Sequence, residues 1–370
     1  MVNMKQLFGP EEINKGRQIE FDIAKAVCIL GMVFVHCFEE LTFSGSDPTG
    51  IASYIMIIVL DAIFGAATFM ASMGLGIAYS WKGDADSYIK RGFKILILGY
   101  ALNFLRWTIP FSIFLIPEKM TAFETIVVYG LNNDIMQFAG LALMLFGFLK
   151  KIKLSDLAIT AIAVGMSVIG SFFRFVTFNS TFIDQITAMF FGITDEYEYA
   201  CAYFPLFNWF IIVVCGYLYG KALRRCKDLK KYYAIALPVS AVILAVYMII
   251  AIPNRMGLMN DDIFHYYFMT TIEVPVCLIG MIFATSVYHY ISLIMSDKVK
   301  HIIYKISNNI NTTYCIHWII IGWISTFMEM ETISWLSDAG VFIFGAILFV
   351  IANILAELFQ RAKKKISNIK

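Results

Sequence analysis

Ten apolar runs, each near the length of a membrane-spanning helix, dictate what this chain can fold into. They centre on residues 20–41, 51–80, 93–109, 122–149, 155–174, 204–222, 232–252, 270–294, 308–328 and 338–360. A spanning helix needs about 20 predominantly apolar residues, and the runs at 51–80 and 122–149 are long enough to tilt or to extend past the membrane. Hydrophobic residues make up 59% of the 370 and charged residues 15%, against about 45–50% and about 25% in soluble domains. No soluble fold covers that much apolar surface, so the bilayer has to be part of the solvent.

The connections between the runs give the direction. Lys5, Lys15 and Arg17 precede the first run, and the segment after it, 42–50, has no Lys or Arg. Basic groups then return in every second connection: Lys82, Lys90, Arg91 and Lys94; Lys150, Lys151 and Lys153; Lys221, Arg224, Arg225, Lys227, Lys230 and Lys231; Lys298, Lys300 and Lys305; and the tail Arg361, Lys363, Lys364 and Lys365. The connections between these carry little beyond Arg106, Glu118–Lys119, Arg255, Glu329 and Glu331, or are acidic, with Asp184, Asp195, Glu196 and Glu198. Positive charge stays on the cytoplasmic side. The expectation is an all-α polytopic membrane protein of about ten transmembrane helices, with both termini cytoplasmic and one integral membrane domain over 1–370.

The first run lacks a small-residue cleavage site and is expected to remain as a spanning helix. Seven scattered cysteines (Cys28, Cys37, Cys201, Cys215, Cys226, Cys277, Cys315) show no metal-ligand spacing, so inert thiols and no metal are expected. The net charge of +2 carries no signal for nucleic acid, and none is expected as a partner.

Ionisable residues inside a span are expensive and point to function. In the first run, Asp22, Lys25 and His36 share one helix face, with Glu39 and Glu40 a turn beyond. Lys25 and His36 lie about 16 Å apart along the axis, one near the cytoplasmic face and one in the outer half. An imidazole beside two carboxylates suits a general base; the alternative is a Lys that snorkels and a His that bonds a neighbouring helix. In the fourth run Asp134 and Gln137 share a face at the depth of His36, as catalytic partners or as a polar clamp. Arg91 opens the third run at the cytoplasmic side and Arg106 closes it outside; Arg174 ends the fifth. Each suits an anionic or polar substrate, or merely an interface. His317, near mid-membrane in the ninth run, is a candidate for substrate binding, a proton path or a structural hydrogen bond. His265, His289 and His301 belong to no constellation. Gly216 and Gly220 in the sixth run suit close helix packing.

Asp22-x-x-Lys25, an apolar run and then His36 resemble the first-helix signature of the transmembrane acyltransferase superfamily. Lys25 stands where acyltransferase type 3 members have Arg, and it lacks the bidentate fork of a guanidinium. Asp134-Ile-Met-Gln137-Phe-Ala-Gly140 and the stretch from Phe204-Pro205 to Gly220-Lys221 look more like heparan-alpha-glucosaminide N-acetyltransferase relatives. The resemblance implies transfer of an acyl group, often acetyl, from cytoplasmic acetyl-CoA to an extracytoplasmic glycan or glycolipid. It makes the protein a multi-pass transferase of a cell membrane, a bacterial plasma membrane being the expected one, and a homodimer is compatible with it. His36 takes the catalytic position, and Lys25 with Arg91 the CoA end.

On that reading His36 removes the acceptor proton, Glu39 or Asp134 orients the imidazole, and Gln137 steadies the oxyanion. Arg106, Arg174 and His317 are left for the substrate. Direct transfer and an acyl-His intermediate both remain open. The rival is a proton-coupled transporter relaying through His36, Asp134 and His317. It lacks the matching pair of interrupted helices usual in such proteins.

Overall fold

The computed structural model describes residues 7–42, 65–80, 83–114, 126–193, 202–259, 263–330 and 335–367. The first part of the run at 51–80, the start of that at 122–149, Cys201, and the charges Lys5, Lys82, Glu118, Lys119, Asp195, Glu196, Glu198 and Glu331 lie outside them. Most of the described residues are helical, and the β-bridges among them are two isolated ones, Phe8 to Cys226 and Asn133 to Ala202. In chain order the helices are α1 (Ile19–Leu41), α2 (Ala66–Ala78), α3 (Ala85–Asn103), a π-helical turn Phe104–Thr108, α4 (Ile109–Phe114), a second π turn Ile126–Gly130 and α5 (Ile135–Lys151). After these come α6 (Asp156–Phe173), α7 (Thr181–Ala188), α8 (Leu206–Arg224), α9 (Leu229–Asn254), α10 (Ile263–Tyr267), α11 (Val274–Ile294), α12 (Asp297–Met330) and α13 (Asp338–Ser367).

The described parts of the ten apolar runs fall mostly on these helices and the two π turns, and the protein is an all-α polytopic membrane protein. Seven helices among the described residues are long and apolar enough to cross a membrane: α1, α3 with its continuation to Phe114, α6, α8, α9, α11 and α13. The count of ten is therefore approximate. α2 and α5 are shorter, and α12 spends its first turns on Asp297, Lys298, Lys300 and Lys305.

Local chemistry sets several helix starts. Asp134 caps α5: its carboxylate accepts from the Ile135 N–H at 2.7 Å, while Gln137 Oε1 accepts from the Asp134 N–H at 3.2 Å. This reciprocal pair satisfies amides that the first turn leaves open. Ser155 caps α6 through the Ala158 N–H, and Asp228 caps α9 through the Lys231 N–H.

The described residues cluster into two compact units. The first comprises Met1–Gln18, Ala66–Tyr100 and Leu131–Tyr290. Within it α2 and α8 touch backbone to backbone: a Cβ added at Gly216 would lie 2.1 Å from the Ala71 carbonyl oxygen, and one at Gly74 2.0 Å from that of Val213. Small residues allow such an approach where lipid gives no hydrophobic drive for helices to associate. Asp156 ties α5, α6 and α8 together by accepting from Lys150 at 2.6 Å, from Tyr217 at 3.1 Å and from Lys221. Arg224 at the end of α8 holds the N-terminal segment through Glu12 at 2.6 Å.

The second unit comprises Ile19–Gly65, Ala101–Gly130 and Ile291–Lys370. Here α1, α12 and α13 pack on one another, and both π turns join them. Phe342 of α13 meets Phe34 and Phe38 of α1 with ring centroids 5.9 and 5.6 Å apart. Lys305 of α12 bonds Glu357 of α13 at 3.0 Å, and Gln360 donates to Thr312 at 2.8 Å. The six described cysteines are free thiols.

Candidate active site

Two polar pairs lie along the contact of α1 with α12, which run in the same direction. Near their starts, Ser307 donates to the buried Asp22 at 2.6 Å. Farther along, His36 Nδ1 and His317 Nε2 are 2.9 Å apart. The rings are nearly coplanar, 5° between planes, as an in-plane ring-to-ring hydrogen bond requires. His317 is fully buried, and its Nδ1 lies 3.0 Å from the Thr313 carbonyl oxygen one turn earlier on α12.

Those contacts assign the tautomers. A carbonyl oxygen only accepts, so His317 Nδ1 carries the hydrogen. In a neutral imidazole the other nitrogen is then an acceptor, and the hydrogen between the rings belongs to His36 Nδ1. His36 Nε2 keeps a lone pair and has no hydrogen-bond partner among the described residues.

Aromatic rings pack against the His36 imidazole, and a cation faces one of them. The Trp318 ring stacks on His36 with centroids 4.0 Å apart, and Tyr314 meets His36 edge-on at 6.1 Å. The Arg106 guanidinium carbon lies 4.2 Å from the Trp318 centroid, so His36 and the cation share one indole. Arg106 is 3% exposed and donates from Nη2 to Asn103 Oδ1 at 3.0 Å; Asn103 in turn donates to the Gly130 carbonyl at 3.4 Å.

The π turn brings Arg106 inward. The Ile109 N–H bonds the Phe104 carbonyl five residues back, and such widened turns recur at functional sites. α12 clasps the turn: a Cβ at Gly322 would lie 2.2 Å from the Arg106 carbonyl oxygen, and Trp323 Nε1 donates to the Leu105 carbonyl at 2.9 Å.

The structure thus brings His36, His317 and Arg106 together. Lys25 is half-buried on α1, eleven residues before His36, and Glu39 near the end of α1 is exposed. Asp134, Gln137, Arg91 and Arg174 belong to the first unit. There Asp134 and Gln137 form the α5 cap, Arg91 is exposed on α3, and Arg174 lies over the Phe175 ring at 5.5 Å beyond α6. Sequence reasoning assigned no role to Asn103, Thr313 or Trp318. The Thr313–His317 spacing of one helical turn was a readable signal for the bond between them; the stacking of Trp318 on α1 had none.

A protein-family model described as heparan-alpha-glucosaminide N-acetyltransferase, catalytic, matches residues 17–249, more than half of the chain. The match contains Lys25, His36, Arg106 and Asp134, while His317 lies beyond its end. No curated protein and no solved structure matches the chain. A polytopic helical chain with a histidine in its first span, matched from that span onward, belongs to the heparan-alpha-glucosaminide N-acetyltransferase family of membrane acetyltransferases.

Proposed function

We propose that this protein moves an acetyl group from acetyl-CoA at the cytoplasmic face to the amine of a terminal glucosaminide outside, with His36 as the general base. The observation that carries the reading is the bare His36 Nε2, held beside a buried cation in a chain of this family. The amine lone pair attacks the thioester carbonyl carbon, forming a C–N bond. Its proton passes to His36 Nε2, the C–S bond breaks, and the proton goes on to the departing thiolate, giving amide and CoA. Base catalysis of this kind contributes about 10²–10⁴-fold.

Arg106 supplies a fixed positive charge where the carbonyl oxygen gathers negative charge, in surroundings that exclude water. Lys25, about 16 Å from His36 along α1, takes the phosphate end of CoA. The pantetheine arm is an extended chain and covers such a separation. Exposed Glu39 is left for the acceptor side.

Donor binding is the first test. A ligand at one hundred times its Kd that binds only the folded state stabilises it by about 2.7 kcal/mol. Acetyl-CoA is expected to raise the Tm of the detergent-purified protein in a saturable way. Absence of any rise at millimolar acetyl-CoA overturns the donor assignment.

A further inference from the structure

We infer that His317 is a positioning residue for the acetyl transfer: as a neutral imidazole it fixes the tautomer of His36 and steadies the charge that His36 acquires. The inference rests on the reading of His36 as the base, but its structural part stands on the hydrogen bonds alone.

An imidazole serves as a base only through a nitrogen without hydrogen, and the partner on the other nitrogen selects which one that is. Serine hydrolases use a buried carboxylate for this purpose, and an orienting group that leaves the wrong tautomer costs about 10⁴-fold there. No carboxylate is hydrogen-bonded to His36 among the described residues. The partner is His317 Nε2 at 2.9 Å, made an acceptor because Thr313 takes the hydrogen of Nδ1 at 3.0 Å. The relay therefore runs from the Thr313 carbonyl through two rings to a lone pair on His36 Nε2.

The same bond serves the charged state. When His36 Nε2 accepts the amine proton, the ring becomes an imidazolium whose Nδ1–H still points at His317 Nε2. That hydrogen bond is then charge-assisted and roughly twice as strong as a neutral one. A neutral orienting ring also fits its setting, since the buried Arg106 already brings positive charge to the Trp318 indole beside His36. A protonated His317 in this position would place a third cationic group there and turn its Nε2 from acceptor into donor.

Two substitutions of similar volume separate positioning from packing. In His317→Gln the side-chain carbonyl oxygen reaches the place of Nε2 and accepts from His36 Nδ1–H; in His317→Leu nothing accepts. The expected result is a kcat within about tenfold of wild type for Gln and lower by at least about 10²-fold for Leu, with KM for acetyl-CoA little changed in both. Equal kcat in two folded variants, or wild-type kcat in Leu, overturns the inference. Nitrogen NMR of His36 labelled in the folded protein reads the tautomer without any turnover. Wild type is expected to show hydrogen on Nδ1 only, and His317→Leu a mixture of both tautomers. Hydrogen on Nε2 in wild type overturns the positioning role. Should wild type transfer no acetyl group while the spectrum shows the Nδ1–H form, the function fails and the positioning geometry stands.

Discussion

His36→Asn is expected to lower acetyl transfer by roughly 10²–10⁴-fold with little change in the thermal stability of the protein. Asparagine places an amide N–H near the position of Nδ1, so the bond donated to His317 Nε2 can persist while the base at Nε2 is gone. Alanine is the harsher change: it removes the hydrogen bond made to buried His317 Nε2, at a cost of about 1–3 kcal/mol, and it uncovers one face of Trp318. Activity lost in both variants, with stability lost mainly in alanine, is the pattern of a base. Transfer by His36→Asn at the wild-type rate, measured as acetylated acceptor per folded protein, contradicts the role.

The second large effect is on folding. Gly216→Ala puts a methyl group 2.1 Å from the Ala71 carbonyl oxygen, far inside van der Waals contact and against backbone that has no rotamer to change. α2 and α8 must separate, and overpacking costs typically about 1–3 kcal/mol and occasionally more. Gly76→Ala on α2 is the internal control, because nothing lies within 4 Å of its Cβ. There the helix preference for Ala over Gly, up to about 1 kcal/mol, leaves stability unchanged or raised. A clear fall in Tm for Gly216→Ala, with none for Gly76→Ala, is the expected contrast. Equal Tm values for both would contradict the close approach of the two backbones.

Much of the fold was legible because a bilayer imposes a long, uniform signal. The runs of apolar residues mark the helices even where their ends move, and seven of the described helices are long and apolar enough to span. α12 begins at Asp297, well before the apolar run at 308–328, because its first turns carry lysines that hydropathy alone assigns to a loop. Asp134-x-x-Gln137 ahead of an apolar run is also the pattern of a reciprocal helix cap, and that local use is the one the structure displays.

His36 and His317 could each be singled out as an ionisable group inside a span, but their direct hydrogen bond could not. His317 is 281 residues away, and no local rule connects α1 with α12. Arg106 reads as the outer end of a span because linear spacing assumes an α-helical turn. The π turn at Phe104–Thr108 and the bare backbone of Gly322 let it enter the protein instead. Charge and hydropathy reveal which residues are costly in lipid; only the fold reveals which of them meet.

The central claim is that this protein acetylates a glucosaminide at the expense of acetyl-CoA. The most direct measurement incubates the purified protein, reconstituted in lipid vesicles, with acetyl-labelled acetyl-CoA and a glucosaminide, and follows the label by mass. The account predicts labelled N-acetylglucosaminide from wild-type protein and almost none from His36→Asn. Label that remains on CoA or appears only as acetate, with folded wild-type protein present, would contradict it.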